Sequence, residues 1–299
     1  MSGSVYRYCG LVLDSAWPLP GLPEEPPGVP ADIVVRGAPL PDAALRLPTL
    51  EISRDEILWR LDGIARYRVR AGGRLIEIDP APDADPGAVG LFLLHPVFTL
   101  ACIRRGDWML SASAIRTGGT AVAFVGPTNS GKSSLAAALS LRGHELLADG
   151  MLRVEPRPDG TFLAHPQAPW AMLWPDLCGR EPHRWPDGWH VRSGLALRRH
   201  EVPSARDAVP LMKVCAPRWV NRPDAEDAGR RIGDSARALE RMLAHTAGLA
   251  WISHAGNPIG HLRWAAALAA RCPAQTLPLS WGWDTWDGML DSVEAWSLA

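Results

Sequence analysis

Hydrophobic and polar positions divide the chain into a strand-like first part and a strand–helix remainder. Over residues 1–87 the apolar positions come in short runs: Tyr6–Leu13, Ile33–Arg36, Leu50–Ile52, Ile57–Leu61, Ala65–Arg70 and Leu75–Ile78. Runs of this length, broken by Gly and charged residues, predict strands. Pro18–Pro30 and Pro80–Pro86 predict connectors, because Pro removes a ladder donor. This region offers no catalytic constellation, and its expected role is a cap, a recognition domain or extra strands on a main sheet.

The pattern changes at Ala88. Leu91, Leu94, Phe98 and Cys102 recur near helical spacing, predicting an apolar helix over Ala88–Arg105 that Pro96 kinks; His95 within it reads as a packed or surface residue. Trp108–Ile115 predicts a strand, and Thr117-Gly118-Gly119 a reversal into a buried strand, Thr120–Val125. Ser134–Arg142 is rich in helix formers, and Gly143 suits the helix end. Glu145–Asp149 predicts a parallel strand beside Thr120–Val125. Leu152–Glu155 and Thr161–Ala164 predict a hairpin around Asp159-Gly160. Pro166–His190 has weak periodicity and predicts short helices and loops, either a wall of a binding site or plain surface anchored by Trp170, Trp174, Trp185 and Trp189. Strands follow at Leu195–Val202 and Pro210–Val220, a charged turn at Pro223–Gly229, a helix at Ser235–Ala250 capped by Asp234, and a helix at Pro258–Arg271. Trp281, Trp283 and Trp286 form an aromatic tail that either stacks on a ligand or pins the C-terminus. The expected fold is α/β: a phosphate-loop mixed sheet flanked by helices over 88–299, preceded by the β-rich region 1–87.

Candidate chemistry is concentrated at Gly126-Pro127-Thr128-Asn129-Ser130-Gly131-Lys132-Ser133, with Ser134 following. It fits G-x-x-x-x-G-K-[ST] between a predicted strand and a predicted helix. Glycines let backbone amides converge on an anion, the helix end adds its dipole, and Lys132 adds a point charge. Lys occurs at only two positions, Lys132 and Lys213, so a chain that otherwise uses Arg keeps an ammonium inside this loop. Ser133 is the candidate Mg²⁺ ligand. Asp149, at the end of the next apolar run, is placed to hold Mg²⁺ or to accept a proton from an attacking hydroxyl.

The 299 residues suffice for one large domain or two modest ones, and a net charge of −1 supplies no global field for nucleic acid or an anionic membrane. Five scattered cysteines without a C-x-x-C suit a reducing compartment and argue against zinc. His165, His183 and His190 also lack metal-ligand spacing. Met1–Leu13 lacks the layout of a signal peptide, no run is read as long enough to span a membrane, and the expected location is the cytoplasm.

The run from Ser111 to Asp149, SASAIRTGGTAVAFVGPTNSGKSSLAAALSLRGHELLAD, resembles the C-terminal domain of HPr serine kinase/phosphorylase. With YRYCGLVLDSAWPLPGLP near the start and MLWPD further on, the chain looks closest to the HPr-kinase-like proteins found beside lasso-peptide biosynthesis genes. The resemblance implies an ATP- and Mg²⁺-dependent kinase that phosphorylates a serine of a protein or precursor peptide, in a family that forms rings and so implies a homo-oligomer. It places Lys132 on phosphate, Ser133 on the metal and Asp149 in the catalytic position. Two positions depart from the family pattern: Ser111, which would line the acceptor site, stands where the family has His, and Gly150 where it has a second Asp. Those departures keep two other readings open: a nucleotide-binding scaffold without transfer, and an ATP-using enzyme of different transfer chemistry.

Overall fold

The computed structural model describes residues 3–40, 50–180, 185, 188–220, 235–272, 274–280 and 282–298. Seven strands form the N-terminal sheet: β1 Ser4–Tyr8, β2 Leu11–Ser15, β3 Ile33–Gly37, β4 Leu50–Ile52, β5 Glu56–Leu61, β6 Ala65–Arg70 and β7 Leu75–Pro80, in the order β1-β2-β3-β7-β6-β5-β4. Alternation sets the faces: on β6, Ala65, Tyr67 and Val69 are buried while three arginines line the other side. The buried carboxylate of Glu77 accepts from Arg36 Nη2 (2.7 Å) and Arg68 Nε (2.6 Å) and pairs with Arg70 (3.1 Å). Burial alone would raise its pKa, but the guanidiniums outweigh that and hold it below the ordinary carboxylate range.

The expected single strand Tyr6–Leu13 is instead the hairpin β1–β2. Cys9 (φ 51°) and Gly10 (φ 73°) both occupy the left-handed region, the geometry of a two-residue hairpin turn. Cys9 is apolar and buried, so the turn carried no polar signal in the sequence.

The apolar segment runs as α1 Pro86–Phe92, a π-turn over Leu93–Val97 and α2 Phe98–Arg105. Asp85 caps it by accepting from Gly87 N. Pro96 lies inside the π-turn, which accommodates the donor that Pro lacks. Contrary to the sequence expectation, these 20 residues, Pro86–Arg105, which include an 18-residue stretch with a mean hydropathy of 1.8, are long and apolar enough to cross a membrane. Here Val89, Leu93, Val97, Phe98 and Leu100 belong to the protein core. Tyr8 and Tyr67 on the N-terminal sheet donate their hydroxyls to Leu94 O and Val89 O, both at 2.9 Å, so the core is continuous from this sheet into the helix.

The remaining elements are β8 Met109–Leu110, β9 Ala112–Thr117, β10 Thr120–Val125, α3 Lys132–Ser140, β11 Glu145–Ala148, β12 Leu152–Pro156, β13 Phe162–Ala164, β14 Trp170–Leu173, α4 Pro175–Arg180, β15 Trp189–His190, β16 Arg198–Glu201, β17 Val209–Val220, α5 Ser235–Ala244, α6 Leu249–Ala255, α7 Pro258–Arg271, β18 Ala274–Ser280 and α8 Trp286–Leu298. The main sheet follows β11-β9-β10-β17-β13-β12-β8, with β18 on β17. The strand expected over Trp108–Ile115 breaks at Ser111, whose amide donates to His245 O (2.7 Å), so β8 and β9 pair with different neighbours and the path returns toward itself. A small third sheet, β14-β16-β15, occupies part of the Trp-rich region.

Three further expectations are corrected. The β11 strand is not beside β10: β9 lies between them, antiparallel to both, because the Thr117–Thr120 hairpin claims that edge first. The helix expected over Ser235–Ala250 stops at Ala244, because the following residues pair with β8, with Thr246 bridging Leu110 and Ala247 N donating to Met109 O (2.8 Å). The strand β18 and the helix α8 had no sequence assignment; α8 buries Met289, Leu290 and Val293 in a second apolar cluster with α3, where Trp286 also packs. The readings of Pro223–Gly229, Asp234, His183 and Trp281 lie outside the described residues.

The hairpin turn generates a test. A Cβ on residue 10 would need a positive φ and would collide with the His165 ring. Gly10→Ala should therefore lower unfolding free energy by about 1–3 kcal/mol, read from urea denaturation. An unchanged midpoint would contradict this turn geometry.

Candidate nucleotide-binding site

Strand β10 ends at Val125, the loop covers 126–131, and α3 begins at Lys132. Gly126 is buried, Pro127, Thr128 and Asn129 are exposed, and Ser130, Ser133 and Ser134 are half-buried. Gly131 has φ 81° and lies under the indole of Trp219, which a Cβ would approach to 2.7 Å. Trp219 Nε1 also donates to Ser130 O (2.8 Å), so this ring, from the far end of β17, clamps the loop. Lys132 is buried, and its Nζ donates to Pro127 O (2.7 Å) and Ser130 Oγ (3.3 Å). The loop is thereby curled around its own ammonium.

Asp149 follows β11. Because β11 runs in the same direction as β10, its end opens at the same sheet edge as the loop. The carboxylate is fully buried. Its Oδ1 accepts from Ser113 Oγ (2.7 Å) and its Oδ2 from Met172 N (2.7 Å), and the Ser133 hydroxyl lies close enough to favour its charged form. The Asp149 amide donates to Gln167 Oε1 (2.7 Å), and Gln167 Nε2 donates to Tyr8 Oη (2.9 Å).

Burial pushes the Asp149 pKa above the usual carboxylate range, against the Ser133 hydroxyl, the Met172 and Ser113 hydrogen bonds and the Lys132 charge. Burial also pushes the Lys132 pKa down, against the attraction of Asp149. Both partners thus move away from their charged forms, so their mutual attraction does not offset desolvation.

Ser111 sits at the break between β8 and β9, while the serine that reaches the Asp149 carboxylate is Ser113, two residues on. The segment bonded to Ser111 carries His245, a residue without a role in the sequence reading. Its imidazole is held below the usual histidine range by burial and then by the positive fields of Lys132 and Arg241. Ser113, Met172, Gln167, Trp219 and His245 were missed by sequence reasoning. Ser113 left a trace in the serine repeat of Ser111-Ala112-Ser113-Ala114, and Met172 in the segment MLWPD.

The donor set suits Mg²⁺, which takes one or two protein oxygens and completes its shell with phosphate and water. Ser133 Oγ and the Asp149 carboxylate would be those oxygens; among the described residues, no group of three or more His, Cys, Asp or Glu could hold an ion alone.

No family profile and no curated protein sequence matches this chain. Among solved structures, the Hpr(Ser) kinase/phosphatase from Coxiella burnetii aligns with 64% of this chain and 90% of that chain, at 14% identity and a TM-score of 0.35. At that level the likeness does not bear on function.

The raised pKa of Asp149 has a signed consequence. Between the ordinary carboxylate value, about 3.9, and the raised folded value, the native state binds more protons than the unfolded one, so its stability falls as pH rises through this window. Relative to wild type, Asp149→Asn should therefore gain stability from pH 4 to pH 8 in calorimetric scans. A difference that is constant with pH would contradict the assignment.

Proposed function

We propose that this protein is an ATP-dependent phosphotransferase acting on a hydroxyl of a protein or ribosomally made precursor peptide. The observation that carries the reading is the convergence of Lys132 and the Ser133 hydroxyl, from the loop helix, on a buried carboxylate at the same sheet edge. Backbone amides of 126–131 and the N-terminus of α3 hold the β- and γ-phosphates. Lys132 leaves the Pro127 carbonyl to bind phosphate oxygens, and Trp219 keeps the loop in shape. Mg²⁺, when bound, supplies charge neutralisation at those phosphates, with Ser133 and Asp149 as its protein ligands.

The acceptor oxygen bonds the γ-phosphorus as the bond to the ADP oxygen breaks, and Asp149 receives the hydroxyl proton. The half-buried imidazole of His245, largely neutral at pH 7, is a second group able to orient the hydroxyl. Positioning and electrostatics supply most of the rate. The acceptor class follows the lasso-peptide-associated resemblance of the sequence. The five free cysteines suit the cytoplasm, and the same resemblance supports a homo-oligomer.

A second reading, a nucleotide-binding scaffold without transfer, is favoured by one feature. Both Asp149 oxygens are already engaged by Ser113 and Met172, and Ser111 offers no base. Incubation with Mg-ATP and the precursor peptide encoded beside the gene separates the two. Transfer predicts a one-phosphate mass increase, reduced about 10²-fold or more in rate by Lys132→Ala and about 10–10²-fold by His245→Ala. Tight ATP binding with no modified peptide and no nucleotide turnover would establish the scaffold reading instead.

A further inference from the structure

Five charged side chains of Lys, Arg, Asp or Glu are buried among the described residues: Glu77, Lys132, Asp149, Arg153 and Arg199. Glu77 is surrounded by three arginines. Arg153 pairs with Asp107 (3.0 Å) and Glu155 (3.5 Å). Lys132, which follows the phosphate loop, and Asp149, which follows β11, attract each other at the same sheet edge. Among the described residues, Arg199 is the one of the five with no opposite charge beside it. It is 7% exposed, its Nε is enclosed without a hydrogen-bond partner, and its guanidinium forms no hydrogen bond or ion pair with a described residue.

Its surroundings are neutral. The guanidinium carbon stands 4.9 Å from the Trp170 ring centroid. The Tyr8 hydroxyl and the His95 imidazole feel its field. Burial, then the Arg199 charge, holds His95 at a pKa of about 4, so it remains an uncharged ring near neutral pH. A face-on indole offsets only part of the desolvation of a guanidinium, and Arg cannot shed its proton to escape the rest.

The position lies one strand beyond the nucleotide site. Arg199 on β16 pairs with Met172 on β14, whose amide holds Asp149. The His95 ring stands against Gly150, where a Cβ would lie 3.7 Å from Cε1. Trp170 is held in place by an edge contact to Trp189 (6.0 Å) and by the backbone at Gly21.

We infer that Arg199, with the Trp170 ring against its guanidinium, is the receptor of a second oxyanion site, distinct from the phosphate loop, for a carboxylate or phosphate group carried by a ligand. The planar fork of donors and the aromatic face above it are the means by which Arg recognises such groups.

The test uses the full chain in a Lys132→Ala background, which removes the ammonium of the loop. Thermal unfolding is followed while inorganic phosphate or acetate is added, against sodium chloride of matched ionic strength. At least one of the two anions should raise the midpoint beyond the chloride control, and which one does so identifies the group. Adding Arg199→Met should abolish that rise and leave the anion-free midpoint equal or higher. Arg199→Lys should keep the charge but weaken the apparent anion affinity about tenfold. The inference is overturned if neither anion exceeds chloride, if the rise survives Arg199→Met, if Arg199→Met lowers the anion-free midpoint or fails to fold, or if Arg199→Lys binds as tightly as Arg199.

Discussion

The Asp149 carboxylate is the point on which four separate parts of the chain are registered. Ser113 reaches it from β9, Ser133 from the first turn of α3, and the Met172 amide from β14. Through its amide, Gln167 and Tyr8, it is connected to Leu94 in the π-turn and so to the N-terminal sheet. A carboxylate without water must have its oxygens satisfied by fixed donors, or its burial is prohibitive. Meeting that requirement orients the phosphate-loop helix, the small sheet and the N-terminal region toward one another.

The arrangement satisfies hydrogen bonding but not charge. Burial moves Asp149 up and Lys132 down, each against the other's attraction. Elsewhere the chain shows how it settles a buried charge when structure is the only demand: three arginines gather on Glu77, and Asp107 and Glu155 hold Arg153. The loop therefore retains an electrostatic deficit, which under the proposed function a polyphosphate with its divalent cation removes, and such unsatisfied sites are where function is bought with stability. The clamp of Trp219 over Gly131 fits the same account, since it holds the loop in the curl that surrounds its own ammonium.

Much of this was legible in the sequence wherever the signal was local. The Gly126–Ser133 motif, its flanking strand and helix, the Thr117–Thr120 reversal and the kink at Pro96 each depend on residues close in the chain. Most strands of the N-terminal sheet were visible for the same reason, because alternation is a period-two signal. What failed was adjacency. The sequence put β11 next to β10, but a hairpin already occupied that edge. Ser113 and Asp149 are 36 residues apart, and Trp219 clamps a carbonyl 89 residues away. Arg199 could not be singled out, because its defining property is the lack of a partner, which no local pattern encodes.

The most direct measurement of the central claim is thermal unfolding of the wild-type chain at neutral pH with saturating Mg-ATP, Mg-AMP or magnesium alone. A charge deficit at Lys132 and Asp149 that a polyphosphate fills predicts a rise of about 5 °C or more with Mg-ATP, little with the other two, and none with Mg-ATP in Lys132→Ala. No rise with any magnesium triphosphate, or the same rise in Lys132→Ala, would contradict it.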